Sequence, residues 1–150
     1  MKKLPAVLML AALIAASYSF GSGEIQWFSL QEGAERAKAG KKPMIVDFYF
    51  GKGCPRCERL QKNVYDDPAI ANKIQRDFIP IRIDLTKKLT EEEKKLGELY
   101  DFKNDCLLLF LDYNGAILKD PKGKRLCFVD AVDPEWFAEY LDMLKAGSGR

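Results

Sequence analysis

Residues 42–65 read KPMIVDFYFGKGCPRCERLQKNVY, and this stretch constrains the fold more than any other. Behind Pro43 runs an apolar, β-branched and aromatic segment, which predicts a buried strand. The glycines of GKG break it. CERLQKNVY then carries a helical pattern. Cys54 and Cys57 therefore stand three residues apart where a strand gives way to a helix.

Three roles are open to such a pair. A structural bridge would close a tiny loop, and the stabilisation from a cross-link falls as its loop shortens. A zinc site commonly takes two such pairs, or one pair with spaced histidines. This chain has no histidine, and its other cysteines, Cys106 and Cys127, stand singly. The redox reading explains more. A helix N-terminus offers unpaired N–H groups and about half a positive charge, and both stabilise a thiolate. Pro55 suits a first helical turn, where its missing N–H costs nothing. Arg56 adds a fixed cation, and Cys57 lies one turn further, close enough to attack a mixed disulfide on Cys54.

The rest of the chain predicts alternating helices and strands. Ser29 and Glu32 form a capping-box pattern for a helix to about Lys38, ended by Gly40. Asp67 and Pro68 open another helix. FIPIRIDL alternates as a strand, and Thr90 with Glu93 caps a further helix. CLLLFLDYNGAIL predicts a strand, an Asn-Gly turn and a returning strand, and KRLCFVDA one more strand. DPEWFAEYLDMLKAG closes the chain as a helix, with Asp133 as cap and Gly147 past its end. Trp27, Phe48, Phe50, Phe110 and Phe128 are expected in the core. Trp136, Phe137 and Tyr140 are expected to pack the last helix on the sheet. This order gives an α/β class with a mixed sheet and an antiparallel edge.

The N-terminus reads as an export signal: Lys2 and Lys3, an apolar run from Leu4 to Ala16, then small and polar residues. That run is shorter than the roughly 20 residues of a membrane span. We expect a signal peptide over 1–21 and one domain over 22–150, with membrane attachment only through an uncleaved signal. Without Lys2 and Lys3, Lys+Arg and Asp+Glu both stand at 22, so no basic surplus points to nucleic acid. With 47% hydrophobic residues the chain can bury a core, and four cysteines are too few for a disulfide scaffold. Export places those cysteines where disulfides persist, in a periplasmic or secreted protein.

KPMIVDFYF leading into Cys54-Pro55-Arg56-Cys57, DDPAIANKI with FIPIRIDL, and CLLLFLDYNG before the final helix resemble the thioredoxin superfamily. The layout is similar to the C-terminal periplasmic domain of DsbD-type disulfide reductases. The resemblance implies a thioredoxin-like three-layer fold: a central mixed sheet with a C-terminal antiparallel hairpin, flanked by helices. It implies a thiol–disulfide oxidoreductase without an organic cofactor, with Cys54 as nucleophile and Cys57 as resolving thiol. Its partners would be client proteins with disulfides or thiols and an upstream thiol donor or acceptor protein. Reduction is favoured over oxidation, although Pro55 and Arg56 push the couple toward oxidation.

The sequence departs from the family pattern at three places. Gly53 stands where a tryptophan usually precedes the first cysteine. Asp47, which matches the family's buried proton acceptor, lies seven residues before Cys54, one more than usual. Cys106 occupies the position of a cis-proline that shapes the substrate groove, and a non-proline cis bond costs about 3 kcal/mol, so Asp105–Cys106 is expected trans. Gly53, Asp105 and Cys106 are the residues expected to face substrate. Cys106 and Cys127 are expected as a structural disulfide or inert thiols. The alternative is that Cys106 joins Cys54 and Cys57 as a redox partner or in a soft metal site, which would make the chain a metallochaperone-like binding module.

Overall fold

Ser29 starts the first helix. The computed structural model describes residues 23–101, 108–125 and 133–148. Helix α1 spans Leu30–Gly40, and the Ser29 hydroxyl accepts from the Glu32 amide at 3.2 Å. The Glu32 carboxylate takes Arg36 at 2.8 Å, so only half of the expected capping box forms. The helix ends one residue later than the glycine pattern predicts. Lys41, not Gly40, adopts the left-handed conformation, and its amide closes on Ala37.

Among the described residues, strand β1 (Met44–Tyr49) runs through the centre of a three-stranded sheet. It pairs parallel with β2 (Ile79–Asp84) and antiparallel with β3 (Leu108–Leu111). Because side chains alternate, the two faces of β1 bury different residues. Ile45 joins Phe110, Leu60, Val64, Ile74, Phe137 and Leu141 on one side. Met44, Val46 and Phe48 join Ile81, Ile83, Leu109 and Ala37 on the other. Helices therefore cover both faces, giving a three-layer α/β fold.

The segment after the cysteines is less regular than its sequence predicts. Helix α2 (Pro55–Leu60) passes into a π-helical turn over Gln61–Tyr65, where the Asp66 amide reaches the Gln61 carbonyl at 2.9 Å. This wider turn buries both Val64 and Tyr65. Helix α3 (Pro68–Asp77) starts as expected, with the Asp67 carboxylate accepting from the Ala69 and Ile70 amides at 2.8 and 3.0 Å. Helix α4 (Glu91–Leu99) opens on a complete capping box between Thr90 and Glu93.

Beyond β3, the Asn-Gly turn forms but the returning limb is short. The Asp112 carboxylate accepts from the amides of Asn114 and Ala116, and Gly115 takes the positive φ. Pairing continues only to an Ile117 bridge and a Leu118 amide bond to Phe110, before Asp120 and Pro121 start another turn. The strand expected in KRLCFVDA, with Phe128, lies almost wholly outside the described residues. Helix α5 (Pro134–Ser148) is capped by Asp133, whose carboxylate accepts from Trp136 at 2.9 Å. It runs through Gly147, which does not end it. Phe137 and Tyr140 are buried as expected, whereas Trp136 is 47% exposed and lies over the Tyr140 ring. Among the described residues, no helix is long and apolar enough to cross a membrane.

Candidate active site

Two glycines turn the chain from β1 into α2. Gly51 sits at φ +90° with Thr86 directly behind it, so an added Cβ would lie 2.6 Å from the Thr86 methyl. Gly53 sits at φ +85° with open space around it. Its amide donates to the Glu58 carboxylate at 3.1 Å, which draws the loop over the start of the helix. The position that usually holds tryptophan is thus an exposed left-handed turn.

Cys54 is the N-cap of α2, in extended conformation, with Pro55 the first helical residue. Its sulfur accepts from the Cys57 amide at 3.2 Å. Cys54 and Cys57 are joined as a disulfide, with Cα atoms 5.3 Å apart. The two sulfurs are not equivalent in access. Cys54 is half-buried, while Cys57 is 8% exposed and belongs to the core with Ile45 and Leu60. Pro55 is exposed and Arg56 partly exposed beside the bridge.

Asp47 lies two residues beyond Ile45 on β1, and so on the face where Cys57 packs. Its carboxylate is buried and accepts from Arg82 Nε at 2.7 Å. Burial pushes its pKa up to about 6, against the pull of the Arg82 charge. Tyr65 is buried behind it with no well-formed hydrogen bond to its hydroxyl. Burial first, and the nearby Asp47 charge second, raise the phenol well above its usual range.

Arg82 joins these parts. Its guanidinium lies 4.1 Å from the Trp27 ring centre, 5.1 Å from Tyr49 and 5.7 Å from Tyr65. It also lines a cleft of about 450 Å³ with Tyr49, Lys52, Cys57 and Gln61. A larger cleft of about 700 Å³ opens where α3 and α5 begin, lined by Asp67 and Asp133, and neither cysteine of the bridge faces it.

The structure thus gathers Gly53, Cys54, Pro55, Arg56 and Cys57 in one turn, with Asp47 beneath. Asp105 and Cys106, expected to face substrate, and Cys127 lie outside the described residues. So does the third sulfur of the metal-binding alternative. Arg82, Trp27 and Tyr65 were not legible as site residues. One signal was available for Arg82: it and Asp47 are the fourth residues of consecutive apolar strands, and in parallel register they face each other.

An α/β sheet with a cysteine bridge at the junction of its central strand and the next helix is a thioredoxin-like disulfide-oxidoreductase fold. The chain belongs to the Thioredoxin-like family, which matches residues 26–111, more than half of its length. Over 63 residues, 42% of this chain, it is 32% identical to the thiol:disulfide interchange protein DsbD of Vibrio vulnificus. That stretch covers only 10% of the DsbD chain. The structure of DsbH oxidoreductase is similar over 95% of both chains, with a TM-score of 0.61 at 19% identity. The oxidised C-terminal domain of Neisseria meningitidis DsbD is similar over 78% of this chain and 97% of its own, with a TM-score of 0.51 at 17% identity. At such identities these likenesses establish the thioredoxin-like fold.

Proposed function

We propose that this chain is an exported thiol–disulfide oxidoreductase that exchanges electrons with protein disulfides through Cys54 and Cys57, working chiefly as a reductase. The unequal access of the two sulfurs carries this reading. A client disulfide meets Cys54 first, and Cys57 waits behind it.

In the reduced protein the Cys54 thiolate, at the N-cap of α2 and beside Arg56, attacks one client sulfur. One Cys54–client bond forms, the client S–S bond breaks and the first client thiolate leaves. Cys57 then gives up its proton and attacks the Cys54 sulfur. The second client thiolate leaves, and the 54–57 bridge closes. Two electrons have passed to the client, and the bridged form is the oxidised product. An upstream thiol protein reopens the bridge.

Asp47 serves as acceptor for the Cys57 proton. It lies on the same face of the sheet as Cys57, and a pKa of about 6 lets it exchange protons near neutrality. Pro55 pre-sets the helical turn, and Gly53 leaves the front of Cys54 open. Asp105 and Cys106 complete the client-facing wall in this reading. The kinship to DsbD supports the reductive direction and a periplasmic or secreted setting, as do the signal-like residues 1–21. The cysteine sulfurs carry the electrons, and no organic cofactor is required.

The test is insulin reduction with dithiothreitol as donor, beside titration of the 54–57 couple in a glutathione series. We expect turnover in the native chain, none in Cys54→Ser, and a potential on the reducing side of the glutathione couple. Full turnover by Cys54→Ser would rule the mechanism out, and a potential well on the oxidising side would reverse the direction.

A further inference from the structure

The surface around the dithiol is unevenly charged. Residues 51–66 carry four cations, Lys52, Arg56, Arg59 and Lys62, against two anions, Glu58 and Asp66. Lys52, Arg59 and Lys62 are exposed, and Arg56 is partly so. The Glu58 carboxylate is drawn back onto the Gly53 amide. Lys52 and Lys62 both line the cleft that reaches Cys57, and neither forms an ion pair among the described residues. Arg82 is paired with buried Asp47. The lining also holds two carboxylates, Glu58 and Asp66, the latter accepting from the Gln61 amide at 2.7 Å, so the excess around the bridge is a net one set by the lysines and Arg56. The chain as a whole is close to neutral, so this local excess is not a reflection of overall charge.

We infer that this cationic collar selects its protein partners by charge, favouring those whose reactive cysteine is flanked by Asp or Glu. The inference rests on the exchange reading above and adds the substrate class. Charges placed around a reactive centre raise the encounter rate of an oppositely charged partner, and added salt removes the advantage.

The experiment uses three disulfide-linked peptides of one length whose cysteines are flanked by Asp, Ser or Lys. The rate constant of each with the reduced full chain is measured at low salt and at about 0.5 M salt, where the screening length is a few ångströms. At low salt the Asp peptide should react about tenfold faster than the Ser peptide, and the Lys peptide slower than both. High salt should close the gap. The double variant K52Q/K62Q should cut the Asp-to-Ser ratio to about twofold or less, with the Ser-peptide rate as its internal reference. Equal rates for the three peptides at low salt, or a ratio unmoved in K52Q/K62Q, would overturn the collar.

A second readout is independent of turnover. The Asp peptide with its cysteine replaced by serine is added to the oxidised protein, and amide shifts at Lys52, Gly53 and Lys62 are followed. Saturable, salt-sensitive shifts for the Asp peptide alone, with no exchange of any peptide, would uphold the collar and sink the oxidoreductase reading. Charge-blind exchange with no preferential shift would do the reverse.

Discussion

Asp47 and Arg82 face each other across the parallel pair β1–β2, 35 residues apart in sequence, with a carboxylate oxygen 2.7 Å from Nε. The pair lies under the helix that carries the disulfide. Around the guanidinium close Trp27, Tyr49 and Tyr65. A buried carboxylate is thereby held by one cation, and that cation is held by aromatic rings.

Asp47 should leave a mark on stability against pH. Its folded pKa of about 6 lies above its ordinary value of 3.8, so the folded state binds the proton more tightly than the unfolded chain. The resulting stabilisation is complete below pH 3.8 and is lost as pH rises through about 6. It amounts to at most about 3 kcal/mol. Urea midpoints should therefore fall between those limits, and Asp47→Asn should flatten that part of the curve. Asp77 acts in the opposite sense. The Arg76 hydrogen bond first, and Lys145 after it, hold it near 2, so its contribution of about 1 kcal/mol fades only below pH 3.8. An unchanged urea curve in Asp47→Asn would remove Asp47 as the titrating group.

Cys57→Ser should trap what Cys54 captures. Serine cannot expel the client from a mixed disulfide, so incubation with a peptide disulfide should give an adduct approaching one equivalent, read by mass spectrometry without reductant. Cys54→Ser should give far less, because the remaining sulfur is nearly buried. Equal adduct yields would mean that the two sulfurs are equally accessible.

Gly51→Ala and Gly53→Ala should differ, although both glycines have positive φ. At Gly53 only backbone strain opposes a methyl group, and the loss should be about 1 kcal/mol. At Gly51 the Thr86 methyl stands in the way as well, so the loss should reach about 2–4 kcal/mol. Thr86→Ser in the Gly51→Ala background removes the obstructing methyl and should recover part of that loss. Comparison of thermal midpoints of the four chains decides it.

Trp27→Ala should cost about 1–3 kcal/mol, from the lost stacking on Arg82 and the edge contact with Tyr65 at 4.9 Å. Trp27→Phe should keep much of that. If the alanine variant unfolds at the native urea midpoint, the rings around Arg82 contribute nothing measurable.

Much of the fold was legible because its signals are local. Asp67, Thr90 and Asp133 cap helices within three residues of their own positions, and Pro55 can only begin one. The irregular places were not legible. Nothing within CERLQKNVY marks the π turn at Gln61–Tyr65, and the Asn-Gly signal does not reveal that Asp112 reshapes its turn. Trp136 fits the helical spacing of Phe137 and Tyr140, yet only those two find cover.

Sequence by itself determined the strand, the glycine turn, the cysteine pair at a helix start and most helix ends, since short-range sterics and backbone hydrogen bonds decide these. Tertiary structure decided which sulfur faces outward, which cation meets Asp47 and why Gly51 must lack a side chain. Those depend on strand register and on what packs behind each residue, and chain neighbours do not encode them.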